Sequence, residues 1–280
     1  MRFARASMAL GLGGVLVGAG AMGVAWWLTA RGQGPGTDKV VVSYEPGPPG
    51  DEQLVRSAYT PAVSKLNAEL GLSQDLRVRV VGTATAVKVG AGGPLYDPQV
   101  RTVYIPWSYV EQARADLGAA RQSVNLTAPL AKVLSGAMTF VLYHEVAHGL
   151  IDLLDVPSTG GEEADADSLG TILAIASGPD GQSIPLAAAE VFAAQAKQPQ
   201  NLAAQAAAGY DSAVERYFDG RCLVYGSNPA RNASLVGGEQ GIPPAHAQTC
   251  VFNYQREALS WQQLLRPHLR HTDALSPSHV

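Results

Sequence analysis

Residues 141–152 read Val-Leu-Tyr-His-Glu-Val-Ala-His-Gly-Leu-Ile-Asp, and His144-Glu145-x-x-His148 within them constrains the rest of the chain. Histidines four apart in an apolar frame call for a helix, because positions i and i+4 share one face. Two imidazoles placed this way can grip one zinc ion. The glutamate between them can then take a proton from water held by that ion. Val146 and Ala147 put no competing charge inside the motif. Leu142, Gly149 and Leu150 mark a helix packed into a core, with its polar face turned to a cleft. Histidine is scarce, six residues in 280, and two of them lie here, so the motif is not a by-product of composition.

A catalytic zinc takes three protein ligands and leaves one position open. The next acidic segment is Gly161-Glu162-Glu163-Ala164-Asp165-Ala166-Asp167. Thr159 and Glu162 have the T-x-x-E spacing of a capping box, which predicts a helix start and assigns Glu162 to the cap. Glu163 is then free to ligate. Asp167, one turn later, can accept a hydrogen bond from the far nitrogen of a ligating histidine. Glu162 and Asp167 are the alternative third ligands, and an acidic first turn is also what a helix dipole favours without any metal. A helix running to Asp155 carries the chain about 10 Å beyond His148, and the loop 156–161 is long enough to return it.

HExxH followed by ExxxD resembles the gluzincin group of zinc peptidases, with a shorter gap than in the thermolysin branch. The chain more closely resembles a bacterial family of putative zinc metallopeptidases, domain of unknown function 4344. The matching segments are Tyr96-Asp97-Pro98, His144–Pro157, Gly161–Asp167, Glu215-Arg216-Tyr217, Cys222–Pro229 and Ser260–Leu269. The resemblance implies a zincin-like fold, one Zn2+ per chain on His144, His148 and Glu163, and Glu145 as general base. It names no substrate beyond a peptide or protein. Members often carry another cysteine pair near the Tyr-Asp-Pro segment, where this chain has Val89 and Pro106.

Ser7–Ala30 is a run of 24 residues without a charge, preceded by Arg2 and Arg5 and closed by Arg31. It exceeds the roughly 20 residues needed to cross a bilayer. Trp26 and Trp27 lie near its far end, where indoles favour the membrane interface. The expectation is a single-pass membrane anchor with the body of the chain extracytoplasmic. The alternative is a signal peptide cleaved after Leu28-Thr29-Ala30, releasing a secreted protein. Cys222 and Cys250 are the only cysteines, and an even count in an exported chain predicts one disulfide.

The formal net charge is −4, and no basic run is interleaved with aromatics, so no nucleic-acid partner is expected. The partners expected are a peptide or protein substrate and, through the N-terminal helix, the membrane. The segments divide as anchor 1–31, linker 32–50 around a short strand 39–44, domain 51–271 and a disordered tail 272–280. Strands are predicted within 75–87 and at 100–105, the latter bordering the cleft. Helices are predicted at 51–70, 108–120, 130–154, 162–177, 185–197, 211–225 and 245–265, with 195–209 either helix or loop. The fold class is α+β: a mixed N-terminal lobe with a few strands, and a mainly helical C-terminal lobe.

Hydrolysis also needs a donor for the developing oxyanion. Tyr210, Arg216, Tyr217, Tyr225 and His246 are the candidates. Arg216 and Tyr217 lead, with an ion pair from Arg216 to Asp167 or Glu162 as the structural alternative. Three readings follow: a zinc peptidase, a zinc-binding scaffold without turnover, and a zinc hydrolase of a non-peptide, cell-wall amide. The glutamate at 145 favours the first, because a scaffold has no need of it.

Overall fold

In a computed structural model, residues 36–120, 128–158, 161–196, 213–238, 240–272 and 274–275 are described. Among them no helix is long and apolar enough to cross a membrane. The uncharged stretch 7–30 lies outside the described residues, as do Thr159, Tyr210 and most of the segment 195–209.

The elements run β1 (Val40–Tyr44), α1 (Pro49–Glu69), β2 (Leu76–Val81), α2 (Thr83–Val89), β3 (Leu95–Asp97), β4 (Thr102–Pro106), α3 (Trp107–Ala120), α4 (Leu130–Leu153), α5 (Glu162–Ala176), α6 (Ser183–Ala196), α7 (Ala213–Ser227) and α8 (Ala247–Leu265). The four strands form one sheet in the order β1-β2-β4-β3. β1, β2 and β4 are parallel, and β3 is antiparallel to β4. Val78, Val80, Val103 and Ile105 are fully buried. That is the composition expected where helices cover a parallel sheet. After α4 the described elements are helical, so the α+β division into a mixed first half and a helical second half holds.

The strand expected at 39–44 is present as β1, paired with β2 along its length. Other sequence expectations need correction. Residues 83–89 form helix α2 rather than strand: Gly82 starts it, and Gly90 ends it at φ +73°. The β-branched residues there had suggested a strand, but the intervening alanines and these two glycines suit a short helix. β4 is interior and buried at every position, so it borders no cleft; the edge strand on its side of the sheet is β3. Within the segment 272–280, Leu275 is 3% exposed and its N–H donates to Gln262 Oε1 at 2.8 Å.

Helix α4 is buried on every side from Leu142 to Ile151, as a helix passing through a core must be. Leu142, Val146 and Leu150 are fully buried, each worth about 1.5–3 kcal/mol on transfer from water. Its end explains the return of the chain. Asp155 takes φ +49°, the Val156 N–H bonds Ile151 O at 2.9 Å, and the Asp155 N–H bonds Asp152 O at 3.2 Å. This is a Schellman stop with aspartate in the left-handed position. The chain reverses there, and the Ser158 hydroxyl donates to Asp165 on α5.

The close approach of α5 to α4 depends on Gly170. A Cβ at that position would lie 3.1 Å from His144 N and 3.2 Å from His144 Cα. Gly170→Ala gains roughly 1 kcal/mol in helix propensity. It overpacks against backbone that is buried on all sides, which costs about 1–3 kcal/mol. The overpacking wins because the helix it meets cannot give way. We expect a lower Tm, and weaker metal binding by about tenfold or more, since α5 carries Glu163 and Asp167. Equal Tm and equal metal affinity would show that α5 does not need this contact.

Candidate metal centre

His144, Glu145 and His148 are 7%, 5% and 7% exposed. Polar groups so deeply buried are costly without partners, and the partners come from the start of α5. The two imidazole planes stand 85° apart, with ring centroids separated by 4.8 Å. Their Nε2 atoms face each other at 3.2 Å. Glu163 closes the triangle, Oε2 at 3.4 Å from His144 Nε2 and Oε1 at 3.5 Å from His148 Nε2. One ligand atom from each of the three residues can be chosen so that all lie within 4.8 Å of one another.

The outer nitrogens also meet carboxylates. His144 Nδ1 lies 2.8 Å from Asp167 Oδ1, an ion-pair contact bent away from ideal hydrogen-bond geometry. His148 Nδ1 lies 3.0 Å from Glu162 Oε1. With both Nδ1 hydrogens turned toward carboxylates, both Nε2 atoms present lone pairs to the same point, beside a third acceptor. Such an arrangement is repulsive unless positive charge, a proton on one imidazole or a metal ion, stands at that point. The titration of His144 reports the same field. Burial lowers its pKa, but the contacts and charge of Asp167 and Glu163 outweigh burial and push it up to about 9. The pocket favours positive charge where the donors converge, and a metal ion held by His144, His148 and Glu163 fits that chemistry.

The start of α5 departs from the expected capping box. The residue before α5 is Gly161, without a side-chain cap, and Glu162 is the first helical residue rather than the fourth position of a box. Its carboxylate is turned to His148 instead. Sequence reading had missed this role, because the T-x-x-E spacing assigned Glu162 elsewhere.

Asp167 is fixed from behind by α7. The Arg216 Nε and Nη2 each donate to it at 2.6 Å, and the guanidinium stacks over Phe192 at 4.3 Å from the ring centroid. Burial raises the Asp167 pKa, but the bonds and charges of His144 and Arg216 prevail and hold it down to about 2. Arg216 therefore makes the ion pair anticipated as its structural alternative. The Tyr217 hydroxyl donates to Gln240 O at 2.7 Å, and Tyr217 does not line the cleft. Tyr225 does not line it either, and His246 is exposed at the entry to α8. Cys222 and Cys250 form a disulfide between α7 and α8.

A cavity of about 680 Å³ opens over the three converging residues. Its floor is His144, Glu145 and His148. Leu95 and Tyr96 of β3, with Pro94 and Pro98, form part of its wall, and Phe140, Phe192 and Arg216 line it as well. The Tyr96 hydroxyl donates to Asp152 Oδ2 at 2.7 Å, tying the sheet edge to α4 one turn beyond His148. Glu145 faces this space. Burial raises its carboxyl to about 7, with His144 acting in the opposite sense. Tyr109, from the first turn of α3, also lines the cavity, a place that no local sequence pattern signals.

A family model described as "Putative metallopeptidase", domain of unknown function 4344, matches residues 52–265. No curated protein and no solved structure matches the chain.

Proposed function

The chain belongs to the domain of unknown function 4344 family, and from that membership we propose that it is a zinc-dependent peptidase with a zincin-like fold. The observation that carries the reading is the convergence of His144 Nε2, His148 Nε2 and the Glu163 carboxylate, the two nitrogens 3.2 Å apart and one ligand atom from each residue within 4.8 Å of the others, beneath an open cavity that Glu145 also faces. Donors about 2.05 Å from a tetrahedral zinc lie about 3.3 Å apart, which the 3.2 Å between the two Nε2 atoms fits. Two imidazoles and a carboxylate form a donor set that zinc accepts readily, leaving a fourth position for the cavity.

When bound, zinc supplies Lewis acidity, lowering the pKa of its water toward about 7 and polarising a carbonyl. The remaining work belongs to the chain. Glu145 takes the proton of the attacking water and passes it to the departing amine. A carboxyl raised to about 7 by burial suits that exchange near neutral pH. Asp167 and Glu162 fix which nitrogen of each histidine faces the ion. β3 offers the open edge of the sheet along one wall, where the backbone of an extended peptide can pair. This edge favours a peptide over a non-peptide amide, and the cavity lies within the range of ordinary ligand sites. Glu145 on its floor favours turnover over a silent zinc scaffold.

The disulfide supports an oxidising compartment. With the uncharged stretch 7–30 it supports a single-pass membrane protein whose catalytic domain is extracytoplasmic, or a secreted one if that stretch is cleaved.

Metal removal tests the function. A chelator should abolish hydrolysis of a broad peptide library, and one equivalent of zinc should restore it. Protein that carries one zinc per chain and leaves both peptide and muropeptide libraries intact would exclude turnover and leave the scaffold.

A further inference from the structure

Peptide hydrolysis builds negative charge on the scissile carbonyl oxygen, and a preorganised donor at that position acts more strongly in the transition state than in the ground state. The leading candidates by sequence have other engagements. Arg216 gives two bonds to Asp167, and Tyr217 bonds Gln240 outside the cleft. Among the lining side chains, Tyr96 gives its hydroxyl to Asp152, and Asp152, Glu162 and Glu163 are acceptors. Tyr109 and Gln195 remain as neutral donors on the wall.

Resting on the peptidase reading, we infer that Tyr109 is a catalytic residue, its hydroxyl donating to the oxyanion of the substrate within the cavity. Its placement is rigid. β4 runs directly into α3, and Tyr109 stands between Trp107, 4% exposed, and the fully buried Val110. The Trp107 indole N–H is itself fixed to Glu45 O at 3.2 Å. The Tyr109 hydroxyl makes no hydrogen bond among the described residues, and it lies within electrostatic reach of Glu145, Arg216 and Asp167. It thus lines the same cavity as the base and is not committed to another described residue. Burial raises its pKa, against the pull of Arg216, so the hydroxyl keeps its proton at working pH. Gln195 is less constrained, standing in the last turn of α6.

The test compares wild type, Tyr109→Phe and Gln195→Ala, each loaded with one zinc per chain. The readouts are kcat and KM on a cleaved peptide, together with calorimetric binding of a phosphinic peptide that mimics the tetrahedral oxyanion. Tyr109→Phe should keep its zinc, lose about 10²-fold in kcat and change KM by less than about threefold. Phosphinate affinity should fall in parallel with kcat, while affinity for the product peptide stays unchanged. A merely structural role would weaken both ligands alike, and that outcome overturns the inference. So does wild-type kcat in Tyr109→Phe, or a loss found in Gln195→Ala instead. Wild type that cleaves no peptide overturns the peptidase reading, and this inference with it.

Discussion

Replacing Glu145 with glutamine should reduce peptide hydrolysis by about 10²–10⁴-fold, the range for loss of a positioned general base, which is about 3–5 kcal/mol in the barrier. The substitution keeps the shape of the side chain and removes its basicity. Glu145 is not one of the three groups that converge, so zinc should remain at one per chain. The fold should tolerate the change, since a neutral amide is easier to hold in this buried position than a carboxylate. Thermal unfolding of the zinc-loaded variant should stay within a few degrees of wild type. Kinetics on a fluorogenic peptide, metal analysis and a melting curve together check all three statements. Unchanged kcat would remove Glu145 from the reaction. Loss of zinc would make it a ligand rather than a base.

The parts of this site that were legible in the sequence are those encoded at short range. His144 and His148 share a face because α4 is helical, and the apolar residues around them announced that helix. Glu163 and Asp167 are four apart for the same reason, and the Asp167 contact with His144 follows once α5 lies against α4. Glu162 was misassigned because a capping-box spacing and an orienting carboxylate look identical in sequence. What separates them is the start of α5 at Glu162 itself, set by the turn after Asp155. The edge strand was misplaced for a related reason. β4 has the stronger strand composition, yet position in a sheet is decided by pairing partners, and the three residues of β3 carry little pattern of their own. Arg216 could be placed only as a pair of alternatives, because its choice between Asp167 and the substrate depends on how α7 packs against α5. Tyr109 precedes the histidines by 35 positions and reaches the cavity through the β4–α3 junction, so no local spacing could reveal it.

Glu163→Ala should weaken zinc binding by more than about hundredfold, a larger loss than removal of either orienting carboxylate, for which about 10–100-fold is expected. Glu163 supplies one of three donors and also the only negative charge within the triangle. Without it two neutral imidazoles must hold a dication over a buried floor. Glu162→Ala should be the mildest of the three changes, because its carboxylate is 62% exposed and water can replace it at His148 Nδ1. Asp167→Ala carries a second cost. It leaves the Arg216 guanidinium, only 26% exposed, without its partner, and breaking such a pair costs about 3–5 kcal/mol when burial is deep. Affinity in that variant must be read well below its own Tm, and Asp167→Asn, which keeps an acceptor for both neighbours, gives the cleaner comparison. Stability follows affinity by mass action. Zinc at 100 times its Kd stabilises wild type by about 2.7 kcal/mol, and that increment should vanish in Glu163→Ala at the same zinc concentration. Competition with a chromogenic chelator measures the affinities, and melting with and without zinc measures the increment. Full affinity in Glu163→Ala with loss in Asp167→Asn would reassign the third ligand to Asp167. That exchange would require Arg216 to release the carboxylate it now grips with two hydrogen bonds, so Arg216→Lys should then strengthen zinc binding rather than weaken it.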